Sequence, residues 1–335
     1  MREEILSLLS GQKIDKVPAF SGLIHVTAEG LAGEGLTLYE AQHDALKMAK
    51  AAASTFHLTG IPSAALPLDL CAPAEALGAT LNYYEGDGNR FPQPAKPLFP
   101  STKYLTQAYF QSVDFFQTGR LPVIYDAFHV LKTEIGNDTV ISGVIPGPYT
   151  LLLYLTDPGG LFAEMKREPN VVQEALYQLS SFLSRLAQAY RNAGADFITL
   201  HEMGGSPGFI GPAKFEQFVF PAVKQLIGEL PDPVVLSVCW NTNRSMHLLA
   251  QTGAQAISVD QVNDIAASRQ VLSDISLFGN IDPVTVLYQG GETEITDAVH
   301  KAKQAGVDAL WPGCDLIPQT SIENIRTMLK TGTVV

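Results

Sequence analysis

Short runs of apolar and β-branched residues recur along the chain, and each is followed by a stretch whose apolar positions have helical spacing. The runs are Val17–Gly22, Ser63–Pro67, Val140–Ile145, Phe197–Leu200, Val234–Val238, Ala256–Val259, Ser276–Gly279 and Asp308–Trp311. Strand-like runs alternating with helices are the signature of parallel βα units. Eight parallel strands close into a barrel, so the pattern predicts an α/β fold, a (β/α)8 TIM barrel formed by residues 1–335 as one domain. The clearest helix spans about Val171 to Ala193, with Leu176, Leu179, Leu183, Leu186 and Ala187 on one face, and Gly194 reads as its C-cap. A similar ending recurs at Ala302–Gly306. The long connection between the second and third runs contains Asn82–Pro97, rich in Gly, Pro and Tyr. Leu81–Phe91 is expected to form an inserted hairpin turning at Gly86-Asp87-Gly88.

Composition narrows the function. With 46% hydrophobic and 17% charged residues, the 335-residue chain can bury a large core. Twenty-two basic against 34 acidic residues leave a net charge of −12, which argues against a nucleic-acid partner because phosphate contacts need clustered Lys and Arg. The N-terminus lacks the profile of a signal peptide, and no apolar run approaches the ~18 residues of a membrane helix, so a cytoplasmic protein is expected, with no membrane partner. Three cysteines, Cys71, Cys239 and Cys314, are too scattered for a disulfide framework.

In a barrel of this type the chemistry lies just past the C-terminal ends of the strands. Asp69 and Cys71 follow the second run, and Gly147-Pro148-Tyr149-Thr150 and Tyr154 follow the third. His201 and Glu202 follow the fourth, Cys239 the fifth, Asp260 the sixth, Asn280 and Asp282 the seventh, and Cys314 the eighth. Any one cysteine reads equally as a small buried hydrophobe, and for Cys71 that reading is favoured. Cys239 and Cys314 form a soft pair suited to zinc, whose catalytic sites commonly keep three protein ligands and one open position. Their sulfurs are expected to converge at the barrel mouth. Glu202, His201 and Asp260 lie on adjoining strand ends; Glu202 and Asp260 are the favoured third ligands, but the spacing does not choose among the three.

Four segments now carry a family resemblance: Asp69-Leu70-Cys71-Ala72-Pro73-Ala74-Glu75-Ala76-Leu77-Gly78, Gly143 to Leu151, Ala193-Gly194-Ala195-Asp196, and Gly279-Asn280-Ile281-Asp282-Pro283. Together they resemble the uroporphyrinogen-decarboxylase superfamily across nearly the whole chain. Cys239 and Trp311-Pro312-Gly313-Cys314 are similar to its cobamide-dependent methyltransferase branch, of the methylcobamide:coenzyme M type. That branch carries a His-x-Cys pair and a later Cys that bind zinc, and the zinc activates a thiol that takes a methyl group from a corrinoid. This chain departs from the pattern, since the first position reads Ser237-Val238-Cys239 and the imidazole is missing, so that a neighbouring carboxylate or Cys71 is expected to complete the zinc site.

The resemblance implies a zinc cofactor and a corrinoid methyl donor presented by a separate corrinoid protein, with a small-molecule thiol as acceptor. Asp69, Tyr154 and His201 are the candidate catalytic groups, and Gly147, Tyr149, Asn280 and Asp282 the candidate substrate or corrinoid contacts. Gly147, Pro148 and the loop Gly204-Gly205-Ser206-Pro207-Gly208 would let a flat macrocycle approach the backbone. The rival readings are a tetrapyrrole decarboxylase, in which a residue like Asp69 binds pyrrole nitrogens, and a non-catalytic corrinoid- or tetrapyrrole-binding barrel. Against the decarboxylase, the loop Ser21–Glu29 holds no arginine to receive substrate carboxylates.

Overall fold

The structure, a computed structural model, describes residues 1–333 apart from 88, 89 and 113. Its main sheet has seven parallel strands: β1 (Ser63–Leu66), β4 (Val140–Pro146), β5 (Phe197–Glu202), β6 (Val234–Val238), β7 (Ala256–Val259), β8 (Ser276–Ile281) and β9 (Ala309–Pro312), neighbours in that order. Two further strands, β2 (Leu81–Asn82) and β3 (Gln93–Pro94), pair antiparallel as the inserted hairpin. The hairpin closes farther along the chain than Phe91. Residues 83–92 join its strands, and Gly88 of the expected turn lies outside the described residues.

Seven of the eight expected strands form a ladder, and the exception is Val17–Gly22. That segment makes a single parallel bridge, Ala19 to Leu310. Phe20 N donates to Leu310 O at 3.2 Å and Leu310 N to Pro18 O at 2.9 Å. The ladder stops there for two reasons. Pro18 has no N–H to give, and Ser21 N turns away to the Ser63 Oγ at 2.9 Å. Side-chain bonds replace the ladder on the β1 side, and His25 Nε2 lies 3.1 Å from Ser63 O. The barrel is therefore closed by one bridge and a few side-chain contacts.

The lower end of the barrel is packed solid. Phe20, Phe278 and Trp311 meet with ring centroids 5.2–5.7 Å apart, and all three are fully buried. The helix Arg2–Leu9 plugs this end with Ile5, Leu8 and Leu9. Arg2 pins the plug by pairing with Asp196 at 2.7 Å and donating to Thr139 O at 3.0 Å. The outer helices follow the sequence pattern. Pro169–Ala193 buries the face containing Leu176, Leu179, Leu183 and Leu186, and ends at Gly194 with φ +130°. Glu292–Ala305 ends at Gly306 in the left-handed conformation. Among the described residues, no helix is long and apolar enough to cross a membrane.

Gly22 sits where the bridging segment enters this packed end. A Cβ there would lie 2.6 Å from the Trp311 ring and 2.7 Å from the Phe197 ring. Overpacking of a filled core costs about 1–3 kcal/mol. Gly22→Ala is expected to lower the unfolding free energy by that amount in urea titration, with a matching fall in melting temperature; an unchanged midpoint would mean that this end can relax.

Candidate functional site

Three strands deliver reactive groups to the upper mouth. Cys239 follows β6, Cys314 follows β9, and their sulfurs lie 2.9 Å apart, so the expected convergence is present. The third member is His201, whose Nε2 stands 3.1 Å from Cys239 Sγ and 3.8 Å from Cys314 Sγ. Its position follows from strand register. β5 continues through His201 and Glu202, and the parallel pairing sets His201 directly beside Ser237. An imidazole thus stands beside position 237, one strand over. These three ligand atoms all lie within 4.8 Å of one another and form a group able to hold a metal ion. The two sulfurs would need to open by roughly 0.9 Å to span a tetrahedral ion with Zn–S bonds of about 2.3 Å, a shift within reach of small side-chain rotations. The buried Nδ1 of His201 has no hydrogen-bond partner, and Asp315 Oδ1 lies 3.7 Å from it. A ligating histidine typically directs its second nitrogen to a carboxylate, so the donor set and its surroundings fit zinc.

Electrostatics make one thiol different from the other. The Cys239 S–H donates to Cys314 and so lowers the Cys314 pKa to about 6, against the opposing effect of burial; His201 adds to the lowering. Cys239 is held well above its ordinary value by that same contact and by burial. Burial pulls His201 down, but Asp315 and Cys314 overcome it and raise its pKa to about 9. These shifts favour a proton on Cys239 over one on Cys314 and keep His201 protonated beside them.

The two carboxylates favoured as third ligands are engaged elsewhere. Glu202 is fully buried, but Oε2 accepts from Tyr149 N at 3.1 Å. Its Oε1 accepts from Thr150 N at 3.1 Å, Thr150 Oγ1 at 2.5 Å and Gly205 N at 2.8 Å. It therefore caps the helix Pro148–Leu155, where free N–H groups and the helix dipole favour an anion. Asp260 accepts from Trp240 N at 2.8 Å and Gln261 N at 2.7 Å, shaping the turn after Cys239 instead of joining the sulfurs.

Other expected site residues have comparable structural duties. Gly147 does not open toward a macrocycle, since a Cβ there would collide with Glu202 Oε2. Gly204 and Gly205 pack on Leu153 and Tyr149 in the same way. Tyr149 is fully buried with its hydroxyl on Met165 Sδ at 3.2 Å, so it faces the core. Asp282 caps its own turn by accepting from Val284 N and Thr285 N. Asn280 donates to Asn263 O at 3.2 Å, and both Asn280 and Asp282 line a cavity of about 510 Å³ beside the helix Glu292–Ala305. Asp69 accepts from the Cys71 N–H at 2.7 Å and pairs with Arg120 at 2.7 and 3.2 Å. Arg120 also binds Glu75 at 2.8 Å and Gln42 Oε1, and Tyr83 lies against it. Cys71 is buried with its S–H directed at Pro92 O. The Tyr154 hydroxyl is held protonated by burial, then by Cys71, Asp315, Asp69 and Glu202, which places it amid these acidic groups.

Two groups, Arg120 and Asn263, escaped the sequence reading, and a third was ranked too low. His201 ranked behind the carboxylates as a third ligand, although a strand extension of two residues would have aimed it inward. Arg120 lies far from Asp69 along the chain, and no local motif announces the pair. Asn263 accepts from Thr242 N and Oγ1 and donates to Trp240 O and Asp260 O, so it braces the turn that carries Cys239.

The profile of the uroporphyrinogen decarboxylase (URO-D) family matches residues 1–333. A methylcobamide:CoM methyltransferase, MtaA, of Methanosarcina barkeri is 28% identical over 331 residues, covering 98% of this chain and 96% of its own length. A uroporphyrinogen decarboxylase of Thermodesulfovibrio yellowstonii is 27% identical but covers only 72% of this chain and 69% of itself. A solved structure of a methyltransferase from Methanosarcina mazei superposes with a TM-score of 0.92 at 26% identity, covering 99% of this chain and 97% of that one.

Two outcomes test the site. Arg120→Met leaves Asp69 and Glu75 without their buried cation, and breaking such a pair costs about 3–5 kcal/mol; chemical denaturation of the variant should show a loss of that size. Zinc binding should release about two protons per chain between about pH 6 and pH 9, because in that window Cys239 and His201 hold protons and Cys314 does not. Affinity should then rise about 100-fold per pH unit, tenfold for each proton, as read by competition with a chelating dye. A pH-independent affinity would contradict the assigned protonation states.

Proposed function

The chain belongs to the uroporphyrinogen decarboxylase family and is a methyltransferase within it, and from that premise we propose that it moves a methyl group from a methyl-corrinoid to a thiol at a zinc site formed by His201, Cys239 and Cys314. The observation that carries this reading is the convergence of one imidazole nitrogen and two sulfurs at the barrel mouth. Zinc bound there would hold the acceptor sulfur as a thiolate at neutral pH, which a free thiol with a pKa of about 8.5 is only in small part.

The chain's own residues set the conditions. Cys239 and Cys314 would bring up to two negative charges to a bound ion, which would favour an electron-rich acceptor sulfur. His201 is placed by its position on β5 and faces Asp315 at 3.7 Å, whose Oδ1 accepts from Ile24 N at 2.9 Å. Tyr154, held neutral, offers a hydroxyl among the carboxylates without adding charge. In the transfer, the acceptor sulfur forms a bond to the methyl carbon, the cobalt–carbon bond breaks with its electron pair left on cobalt, and the thiol proton leaves to solvent. No general base is needed once the thiol binds as thiolate. The relatives' names point to coenzyme M as acceptor and a methylcobamide as donor, and we extend both classes to this protein, with the corrinoid carried by a separate protein.

The decarboxylase reading has less support. Its named relatives align over a smaller share of the chain, and the cation nearest Asp69, Arg120, is already committed to Asp69 and Glu75. A substrate with many carboxylates would meet Glu202, Asp260 and Asp315 without a free partner, at a cost of several kcal/mol for each unpaired buried charge.

Purified protein is expected to contain about one zinc per chain and to demethylate methylcobalamin with a thiol such as coenzyme M, followed by the visible spectrum. Cys239→Ser, Cys314→Ser and His201→Ala should each lose zinc and lower the rate by at least about 100-fold, as expected when metal ligands are removed. Uroporphyrinogen should not turn over. Decarboxylation above background, or full activity in His201→Ala, would refute the assignment.

A further inference from the structure

Trp240, the residue immediately after Cys239, is unusual in two independent ways. Its backbone has φ +63°, in the left-handed region, which it shares with only Tyr84 among the described non-glycine residues. For a bulky side chain this conformation is a true outlier, and such strain persists only where the surroundings enforce it. They do so here. The buried carboxylate of Asp260 accepts the Trp240 N–H at 2.8 Å, and the buried amide of Asn263 donates to its carbonyl at 2.9 Å. Asn263 is itself fixed by the backbone and hydroxyl of Thr242. The result of this bracing is an indole left 58% exposed at the mouth, although large aromatic rings normally gain free energy by burial.

The neighbouring loop repeats the motif. Gly208 packs so closely on this turn that a Cβ would lie 2.9 Å from Trp240 Cβ and 2.7 Å from Asn241 N. The next residue, Phe209, is 60% exposed. Two aromatic side chains are thus presented to solvent by loops locked together beside the thiol cluster.

We propose that Trp240 is a ligand-contacting residue whose indole forms an apolar face for the corrin ring of the methyl donor. The inference rests on the transferase reading. A methyl carbon in attack range, about 3–3.5 Å from the acceptor sulfur, is carried by a macrocycle much wider than the thiol cluster. Such a ring must cover the residues that flank the sulfurs, and Trp240 is the residue next to Cys239. A flat conjugated ring is the chemistry that an exposed indole receives by stacking.

The chain has two tryptophans, and Trp311 is fully buried, so the exposed emission comes from Trp240 alone. The full-length protein is titrated with methylcobalamin while tryptophan emission is recorded, beside Trp240→Phe and Trp240→Ala, and methyl transfer to coenzyme M is assayed for each. Wild type should show saturable quenching, and Trp240→Phe only the non-saturating attenuation of Trp311. In Trp240→Ala the KM for methylcobalamin should rise about tenfold with kcat within about twofold, and Trp240→Phe should recover most of the loss. If Trp240→Ala does not fold, the Phe variant carries the quenching test. Wild-type turnover with an unchanged KM in the variants overturns this inference and leaves the transferase reading standing. Saturable quenching without turnover supports the contact of Trp240 with the corrin ring and overturns the transferase reading. No quenching and no turnover overturns both.

Discussion

The site depends on closure of the sheet between the Ala19 segment and β9. β6 and β9 are three strands apart in the ladder. In an open sheet the residues following them would be separated by about three strand spacings of 4.8 Å, and the Cys239 and Cys314 sulfurs could not be neighbours. Curling the sheet until Leu310 exchanges hydrogen bonds with Pro18 and Phe20 points the two strand ends across one mouth. The aromatic plug of Phe20, Phe278 and Trp311 fills the opposite end and sets the width of the barrel. Packing at the bottom and chemistry at the top are consequences of the same closure.

A second constraint is the treatment of buried acids. Glu202, Asp69, Asp260 and Asp315 all lie near the mouth, yet each has a defined partner: helix N–H groups, Arg120, the turn after Cys239, and Ile24 N with His201 nearby. Unpaired buried carboxylates would be costly or would take up protons. By committing three of them to backbone and arginine, the fold leaves one nitrogen and two sulfurs as the open donors. That composition favours a soft, thiophilic ion over a hard one that prefers oxygen.

Relatives with different printed activities share this barrel, so the fold alone does not select the reaction. Selection rests on a few positions at strand ends. The pairing of Asp69 with Arg120 reserves a group that would otherwise be free to meet a substrate N–H, and under the proposed reading Cys314, whose pKa its neighbours lower, would serve as a ligand to the ion.

The alternation of apolar runs and helical spacing was enough to determine the barrel, because parallel βα units leave few ways to bury both element types. It also sufficed to place Cys239 and Cys314 at one mouth, since both follow strands whose C-terminal ends share a face. The near-complete ladder failed only at Val17–Gly22, where Pro18 and the turn of Ser21 toward Ser63 reduce a strand to a bridge. The third partner of the sulfurs was not legible. Choosing among His201, Glu202 and Asp260 required knowing that β5 extends through 202, that His201 pairs with Ser237, and that Glu202 meets the N-terminus of the helix Pro148–Leu155. Direction along a strand alternates residue by residue, so an error of one position reverses a side chain. Partners such as Arg120 for Asp69 and Asn263 for Trp240 are fixed by contacts between segments distant in sequence, and only the tertiary structure could decide them.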